Sequence, residues 1–543
     1  SQPNVVLVMT DDQGFGDVGI HGNDQIRTPH LDRFAQEGVR FERFYCNQVC
    51  APTRSALMTG RYAYRTGVIH TSRGGAKMHG DEVTVAELLA AKGYRTGIFG
   101  KWHLGDNYPM RPQDQGFAES LVHKSGGIDQ VPDKPNSYFA PLLHHNGVPV
   151  QSDKYCTDVF FDAANDFIRE NRTRPFFVYI PTNAPHTPLQ VPDEWVQPYL
   201  DAGLDKTTAQ VYAMETNIDE NFGRLLKNLE ELNLSRQTLV IFLTDNGPQQ
   251  PRYTAGLRGR KGTIYEAGVR VPCFVQWPGI IPGGRTIPQM AAHLDWLPTL
   301  ADFCGLDLPA GRKLDGISLK SDLLGETVSR MERKLFFQTH RGLRPQQYHN
   351  AAVITPQFKL LMSSGTFGQE EIEIDPRNLR VELYDLVNDP GEMTDLSQQH
   401  PEVVRELKTA YESWFADVAA VRNFTPGWIK LGTPHENRTL LCRYQDASFQ
   451  GSVSQGWPVQ IAKPGEFQIR TKWPAPMAAG ELRVEWQGAV QTTAVDKAET
   501  GAVFKLPAGQ GLLDVRFQPV EPPELNSKLP QTAEDVLIER VGD

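Results

Sequence analysis

The sequence of 543 residues lacks several features that mark special classes of protein. No apolar run approaches the ~18 residues needed to cross a bilayer, so we expect no membrane-spanning segment. None of the six cysteines forms a CxxC pair, which argues against a zinc ribbon or a thioredoxin-like redox site. The net charge of −10 leaves no surplus of positive charge for nucleic acid, and we expect no nucleic-acid partner.

The chain also lacks internal repeats and low-complexity tracts. Hydrophobic residues make up 40% of it, which is enough for a large core, and ~150 residues per domain predicts three or four domains. Because the chain begins at Ser1 rather than at Met, we expect a protein exported to the periplasm or the extracellular space, with its signal peptide removed.

The first part of the chain alternates short apolar strands with amphipathic helices. Strands are predicted at 4–9, 94–99, 175–180 and 238–243, and helices at 29–37, 158–171 and from about Thr208. A capping box of Thr84 and Glu87 marks a further helix start. This alternation predicts an α/β fold, in which helices cover both faces of a large, mostly parallel sheet.

The pattern changes twice after this region. Strands at 351–362 and 381–386 and a helix at 402–418 predict a smaller α+β subdomain with an antiparallel sheet. The last part of the chain is rich in Gly, Pro, Gln and Thr, and its short alternating segments predict an all-β module, such as a sandwich. We therefore predict three domains, at residues 1–325, 326–425 and 426–543.

The segment CAPTR at residues 50–54 has an unusual combination of residues. Pro52 can begin a helix, because its missing N–H would be unpaired there, and Gly60 would end that helix. Cys50 would then lie just before the helix N-terminus, where an anion is favoured, with Arg54 in the first turn. From its position alone, Cys50 is either a low-pKa nucleophile or a structural thiol.

Polar clusters follow four of the predicted strands, and the carboxyl ends of parallel strands meet at one edge of a sheet. Each cluster alone would be an ordinary turn or helix cap, but four of them are difficult to explain as turns. They supply Asp11, Asp12, Lys101, His103, Asn183, His186, Asp245 and Asn246.

These clusters combine two kinds of chemistry. The oxygen ligands of Asp11, Asp12, Asp245 and Asn246 suit Ca²⁺ or Mg²⁺, and three carboxylates without a cation would repel one another. The lysine, arginine and histidine side chains suit an anion that gains charge as a bond breaks. Together they indicate hydrolysis of a tetrahedral oxyanion ester.

Six segments resemble one known family. Residues 50–61 (CAPTRSALMTGR) and 100–105 (GKWHLG) resemble the two signatures of type I, formylglycine-dependent sulfatases, an arylsulfatase-like family of the alkaline phosphatase superfamily. Residues 4–12 and 243–247 are similar to its metal-binding segments, 259–272 to its lysine segment and 383–392 to its C-terminal subdomain. The resemblance extends from about residue 3 to about residue 420, so the last part of the chain lies outside it.

The resemblance implies an alkaline phosphatase-like fold and a sulfatase that acts on a sulfated carbohydrate. It implies that a formylglycine-generating enzyme oxidises Cys50 to formylglycine, whose hydrate replaces the thiol as nucleophile. It implies Ca²⁺, in preference to Mg²⁺, bound by Asp11, Asp12, Asp245, Asn246 and the modified Cys50. The implied catalytic residues are Cys50, Arg54, Lys101, His103, His186, Asp245 and Lys261.

Substrate-binding residues are less well defined by the sequence. His123, Lys124, His144 and His145 in the region 106–150, together with His340 and Arg341, either line sugar subsites or are solvated loop residues. One alternative function is that of a phosphonate monoester or phosphodiester hydrolase of the same superfamily. Another is a non-catalytic glycan-binding protein, in which the C-terminal module binds the glycan instead of packing as a cap.

Overall fold

A ten-stranded sheet organises the first part of the chain. The computed structural model describes residues 2–326, 332–340, 344–362, 374–425, 427–450, 453–472, 479–496, 501–519 and 533–542. The strands up to residue 326 are β1 (Asn4–Thr10), β2 (Val39–Phe41), β3 (Phe44–Tyr45), β4 (Arg95–Lys101), β5 (Glu119–His123), β6 (Leu142–His145), β7 (Val148–Gln151), β8 (Phe176–Pro181), β9 (Thr238–Thr244), β10 (Arg270–Val271), β11 (Cys273–Gln276), β12 (Arg285–Ile287) and β13 (Ala291–Ala292).

Ten α-helices accompany these strands. They are α1 (Pro29–Glu37), α2 (Cys50–Thr59), α3 (Ala63–Thr66), α4 (Val85–Ala91), α5 (Cys156–Asn171), α6 (Asp193–Asp201), α7 (Lys206–Glu231), α8 (Glu266–Val269), α9 (Trp296–Cys304) and α10 (Lys320–Leu324). Short 3₁₀ helices lie at Gly19–His21, Pro112–Asp114, Ser235–Gln237 and His293–Asp295.

The large sheet has the strand order β12-β2-β11-β9-β1-β8-β4-β5-β6-β7. Its five consecutive strands from β9 to β5 are parallel, and antiparallel pairs occur on both sides of them. The predicted mostly parallel sheet is therefore confirmed. The four strands that were predicted to end in polar clusters, β9, β1, β8 and β4, are adjacent in this order.

Strand β1 shows that the sheet is covered on both faces. All seven of its residues are buried, which is typical of a central parallel strand. Val5 and Leu7 belong to one hydrophobic core, which includes apolar residues of α2, α4 and α9. Val6 and Val8 point the other way, into a second core with α1, α5 and α7. Successive side chains of a strand alternate between the two faces, so helices cover both.

The ends of most helices agree with their sequence signals. The capping box is present, with the Glu87 backbone N–H donating to Thr84 Oγ1 at 3.1 Å and the Thr84 N–H donating to Glu87 Oε2 at 2.8 Å. Helix α2 differs from the prediction, because it begins at Cys50 and not at Pro52. The first N–H groups of a helix have no intrahelical partner, so Pro52 fits the third position without losing a hydrogen bond. Gly60 ends the helix in the left-handed conformation, with φ of 67°.

A second, antiparallel sheet follows in the order β14 (Leu335–Gln338), β15 (Ala351–Ile354), β16 (Phe358–Met362) and β17 (Val381–Asp385). Helix α11 (Pro401–Arg422) packs on it, and a short 3₁₀ helix lies at Pro376–Asn378. The segment predicted as strand 351–362 is divided into β15 and β16, because residues 355–357 form the turn between them. Together these elements form the predicted α+β arrangement.

The last part of the chain forms two further sheets. Its strands are β18 (Ile429–Leu431), β19 (Arg438–Cys442), β20 (Ser448–Gln450), β21 (Val453–Ile461), β22 (Gly465–Lys472), β23 (Gly480–Trp486), β24 (Ala489–Val495), β25 (Ala502–Leu506), β26 (Gly509–Pro519) and β27 (Asp535–Gly542). One sheet has the order β18-β21-β26-β23-β24, and the other β19-β27-β22-β25. Trp457 from the first and Phe467 from the second share one core, as in a sandwich. A single-turn helix, α12 (Arg443–Asp446), interrupts the strands.

The domain boundaries at 325 and 425 stay predictions.

All six cysteines are free and buried. Among the residues that the structure describes, no helix is both long enough and apolar enough to traverse a lipid bilayer.

A buried ion pair network joins the second sheet to the first part of the chain. Lys359 Nζ lies 3.0 Å from Glu266 Oε1 and 3.0 Å from Glu392 Oε1, and the Lys359 and Glu266 side chains are wholly buried. Removing the shared cation would leave two carboxyl groups buried without their partner.

We expect Lys359→Met to lower the free energy of unfolding by about 3 to 5 kcal/mol, because breaking a buried pair leaves uncompensated charge. The measurement is the apparent Tm in thermal unfolding. The control is Arg377→Ala, which removes an exposed pair to Asp375 (2.9 Å) and should leave the Tm unchanged. Equal Tm values for the two variants would contradict the role of Lys359.

Candidate functional site

Four neighbouring strands deliver polar side chains to one edge of the large sheet. Asp11 and Asp12 follow β1, Asp245 follows β9, Lys101 ends β4, and His186 lies beyond the end of β8. The strand ends are linked by their backbones, because the Asp11 N–H donates to the Ala184 carbonyl (3.2 Å) and the Asp245 N–H to the Thr10 carbonyl (3.1 Å). The structure thus brings the predicted clusters together.

Asp11 and Asp245 are each paired with a cation from another segment of the chain. Lys101 Nζ lies 2.6 Å from Asp11 Oδ2, and Arg54 Nη2 lies 2.7 Å from Asp245 Oδ2. The Arg54 guanidinium also donates to the Lys101 carbonyl at 3.0 Å, so helix α2 is attached to the strand end. All four side chains are almost fully buried, and so each charge depends on its partner.

Asp12 is bound by a different set of groups. Lys261 Nζ lies 2.6 Å from Asp12 Oδ1, and Asn246 Nδ2 donates to the same oxygen at 2.7 Å. The backbone carbonyl of Asp12 accepts a 2.7 Å hydrogen bond from Arg252, whose guanidinium is also paired with Asp17 at 2.7 Å. Arg252 thereby fixes the backbone at Asp12, where φ is 70°. No sequence motif pointed to Arg252.

Two buried oxygens at this edge, Asp11 Oδ1 and Asn246 Oδ1, lack a hydrogen-bond partner. Their arrangement fits a metal ion. Ligand atoms of Asp11, Cys50 and Asp245 lie within 4.8 Å of one another, as do those of Asp11, Asp12 and His186. A set dominated by carboxylate and amide oxygens suits a hard cation such as Ca²⁺.

The surroundings separate the pKa values of neighbouring groups. Burial raises the pKa of Asp245 to about 6, and Asp11 adds to the rise, while Arg54 opposes it. Burial acts in the same direction on Asp12, but Lys261, His186 and Lys101 outweigh it and hold that pKa well below its ordinary value. Asp12 is therefore held in its anionic form, whereas Asp245 is a weaker acid than an ordinary aspartate.

Cys50 is the first residue of α2 and is 3% exposed. Burial raises the pKa of its thiol above the ordinary value, although Lys101 and Lys261 pull in the opposite direction. The interpretation of Cys50 as a low-pKa thiolate therefore has no support, because the thiol is neutral at physiological pH.

Two histidines with neutral rings face the same space. His186 Nδ1 donates to the Thr187 carbonyl at 2.7 Å, and its Nε2 lies 3.9 Å from Asp12 Oδ2. His103 Nε2 donates to the Thr71 carbonyl at 2.8 Å, and its Nδ1 is buried without a partner. Burial, reinforced by nearby lysines, lowers the pKa of His186 to about 3 and that of His103 well below its ordinary value.

A pair of glycines allows these two rings to approach the chain closely. A Cβ atom at Gly126 would lie 2.7 Å from the His103 ring, and one at Gly127 would lie 3.1 Å from the His186 ring. Any larger residue at position 126 would therefore displace His103. No recognisable sequence pattern indicated this role.

A cavity of about 460 Å³ opens above these groups. Its lining residues are Cys50, Thr71, His103, Gly126, Gln130, His186, Thr187, Gln249, Arg260, Lys261, Thr263 and Tyr444. Cys50, His103, His186 and Lys261 among the predicted catalytic residues line the cavity, while Arg54, Lys101 and Asp245 are buried behind it. Most of the other lining residues lie in loops and carry no motif, so the sequence did not reveal them.

The predicted sugar-binding residues lie elsewhere. His123 is buried and pairs in register with Lys101 on the adjacent strand, and His340 is buried with its Nδ1 3.3 Å from His349 Nδ1. His144 is paired with Asp133, His145 with Glu119, and neither they nor Lys124 line this cavity. Arg341 lies outside the described residues. A role for these residues in sugar binding stays a prediction.

Comparison with known proteins gives two family matches. The family described as Sulfatase matches residues 3–306, and the one described as N-sulphoglucosamine sulphohydrolase, C-terminal, matches residues 260–415. Both matches end before the β-rich part of the chain.

Individual proteins with similar sequences and structures agree with these families. Arylsulfatase A of Homo sapiens is 33% identical, over 79% of this chain and 91% of the relative. N-acetylgalactosamine-6-sulfatase of Canis lupus familiaris is 32% identical, over 63% of this chain and 69% of the relative. The crystal structure of Ps i-CgsB in complex with k-i-k-neocarrahexaose has a TM-score of 0.68 and 28% identity, and the match covers 76% of this chain and 93% of that chain.

We expect Ca²⁺ to stabilise the chelator-treated protein, because a cation relieves the repulsion among three buried carboxylates. At about 100 times the Kd, the expected gain is about 2.7 kcal/mol, seen as a rise in Tm. Mg²⁺ should give a smaller rise.

Asp11→Asn should reduce the rise in Tm with Ca²⁺, since it removes the charge from one proposed ligand. The control is Asp375→Asn, which alters a carboxylate of the surface pair with Arg377, outside the site. This variant should keep the full rise in Tm. An unchanged Tm of the unsubstituted protein on adding Ca²⁺ would contradict the proposed metal site.

Proposed function

The chain belongs to the sulfatase family and is a sulfuric ester hydrolase, and from this premise we propose that its substrate is a sulfated carbohydrate. The observation that carries the proposal is the lining of the cavity over residue 50. Cationic and imidazole groups stand beside Cys50, and the amides of Gln130 and Gln249 belong to the same lining. Such a lining suits a sulfate group that is attached to an alcohol rich in hydroxyls.

Named relatives support the carbohydrate class. One is an N-acetylgalactosamine-6-sulfatase, and one solved structure contains a neocarrahexaose. Both names refer to sugars, although they concern different ones. We therefore propose the class of substrate and leave its sugar to experiment.

We propose that Lys101, Lys261 and His186 bind the sulfate oxygens. The lysine ammonium groups are held in place by Asp11 and Asp12, at 2.6 Å in each case. Burial disfavours the charged form of Lys261, but Asp12 and its other anionic neighbours keep the pKa above the ordinary value, so the group is a permanent cation. Preorganised cations of this kind stabilise an anionic transition state without having to reorient.

The resemblance also implies a metal and a modified residue 50, and the residues present fit both. Asp11, Asp12, Asp245, Asn246 and residue 50 would hold Ca²⁺, which would polarise the sulfate group when bound. Oxidised to formylglycine, residue 50 would supply a hydrated aldehyde as nucleophile, a role for which the neutral thiol is poorly suited. The maturating enzyme and export from the cytoplasm remain further predictions of the resemblance.

Three side chains are proposed to move protons. Asp245, with its pKa raised to about 6 by burial, is suited to accept a proton beside residue 50. A bound sulfate would offset the charge of Lys261, so that His186 Nε2 takes up a proton from solvent and passes it to the oxygen of the departing alkoxide as its bond to sulfur breaks. His103 Nδ1 is an unpaired acceptor, because Nε2 donates to Thr71, and it can remove a proton at residue 50 when sulfate leaves.

We expect the purified protein to hydrolyse an aryl sulfate with a kcat/KM at least about 10-fold above that for the matched aryl phosphodiester.

Cys50→Ala should lower sulfate release by about 10³-fold or more, because residue 50 carries the nucleophile. The control is Cys304→Ala, a buried thiol outside the site, which should keep its activity.

Peptide mass analysis of the active protein should show formylglycine at position 50.

A kcat/KM that is higher for the phosphodiester than for the aryl sulfate would favour the alternative function as a phosphonate monoester or phosphodiester hydrolase. Turnover that survives Cys50→Ala would show that the nucleophile lies elsewhere.

We expect a screen of defined sulfated oligosaccharides to yield at least one that releases inorganic sulfate, measured by ion chromatography. Cys50→Ala should still bind that oligosaccharide, because the cavity lining remains. Hydrolysis of the aryl sulfate without release from any glycan would contradict the carbohydrate substrate. Binding of a glycan by the unsubstituted protein, without any sulfate release, would favour the non-catalytic alternative.

A further inference from the structure

One residue of the cavity lining comes from the β-rich C-terminal part of the chain. Eleven of the twelve lining residues lie between positions 50 and 263, and the twelfth is Tyr444. Both family matches end at or before residue 415, so Tyr444 belongs to a part of the chain that they do not cover. The predicted accessory module therefore reaches the candidate active site.

Helix α12, which carries Tyr444, is attached to the loop that supports His103. Three consecutive carbonyls of the helix accept hydrogen bonds, from Arg73 N (2.7 Å), Gly74 N (2.9 Å) and Lys77 Nζ (2.6 Å). At Gly74 the two segments are so close that an added Cβ would lie 3.1 Å from the Ala447 carbonyl oxygen. The Thr71 carbonyl, a few residues earlier in the same loop, accepts the hydrogen bond from His103.

Further contacts fix the backbone around Tyr444. The Asp446 carboxylate accepts a 2.8 Å hydrogen bond from the Cys442 N–H, which closes the turn of α12. Arg73 and Arg443 both lie over the Phe449 ring, at 5.4 and 5.7 Å from its centroid. The backbone is thus well anchored, while the Tyr444 residue remains 43% exposed at the cavity.

An exposed aromatic ring on an anchored backbone, beside polar groups, is suited to a sugar. One face of a pyranose ring presents C–H bonds and is apolar, while its rim presents hydroxyls. Tyr444 offers a flat apolar surface, and Gln130, Gln249 and Arg260 of the same lining offer hydrogen-bond donors for the rim. Among the described residues of the lining, Tyr444 is the only Phe, Tyr or Trp, and the other rings are the imidazoles of His103 and His186.

We propose that Tyr444 is a specificity-determining residue, on which a sugar ring of the substrate stacks while its sulfate ester lies over residue 50. The inference rests on the proposed function and assigns the C-terminal module a direct part in substrate recognition. Binding energy from a group remote from the reacting bond would raise kcat/KM for the glycan more than for a small activated ester.

The test compares Tyr444→Ala with the unsubstituted protein on two substrates, 4-nitrophenyl sulfate and the sulfated oligosaccharide that the screen identifies. We expect kcat/KM for the oligosaccharide to fall at least about 10-fold and that for the aryl sulfate to change less than about 3-fold. Tyr444→Phe, which keeps the ring, should retain most of the oligosaccharide activity. Leu512→Ala removes an equally exposed side chain (43%) from the same part of the chain and should change neither value.

The outcomes separate this inference from the proposed function. Equal changes on both substrates, or no change on either, would overturn the role of Tyr444 while leaving the sulfatase proposal intact. Loss of oligosaccharide activity in Tyr444→Phe equal to that in Tyr444→Ala would overturn stacking as the mechanism. If the unsubstituted protein releases sulfate from the aryl ester but from no oligosaccharide, the carbohydrate substrate and this inference are both overturned.

Discussion

Neutralisation of buried charge at one sheet edge is the constraint on which the rest of the site depends. Asp11, Asp12 and Asp245 are withdrawn from water, and each is paired with a cation from a different segment. Lys101 comes from a neighbouring strand, while Lys261 comes from a loop and Arg54 from helix α2. A buried carboxylate without its partner is strongly destabilising. These ion pairs therefore join the sheet, the helix and the loop, and the same contacts that stabilise the fold also build the site.

The same pairing explains the opposite behaviour of the groups that face the cavity. Asp12 and Lys261 lie 2.6 Å apart, and each favours the charged form of the other. Burial, together with nearby cations, lowers the pKa of the two imidazoles, His103 and His186, so that both rings are neutral. An anionic substrate changes this balance, because it offsets the positive potential that keeps the imidazoles deprotonated. In the proposed mechanism, proton transfer by these imidazoles would therefore depend on the arrival of the substrate.

The sequence predicted those features that leave a local pattern. The apolar run of β1, the period of α7 and the capping box at Thr84 all correspond to structure, and the polar clusters at the strand ends led to the charged edge. Features that depend on distant contacts left no such pattern. Strand β3 has two residues and exists only because it pairs with β10 and β13, more than two hundred residues away. The cavity lining was predicted only in part for the same reason, since tertiary contacts bring Thr71, Gln130 and Tyr444 to it.

The loop from Thr71 to Lys77 is attached on two sides, to the His103 imidazole through the Thr71 carbonyl and to helix α12 through three donors. Each residue of extended chain spans about 3.3 to 3.6 Å, which is longer than any of these hydrogen bonds. An insertion or deletion within the loop would therefore break its attachment on one side or the other. Its length is set by attachments in two different parts of the chain, so a change in the loop that suits helix α12 must also keep the hydrogen bond to His103.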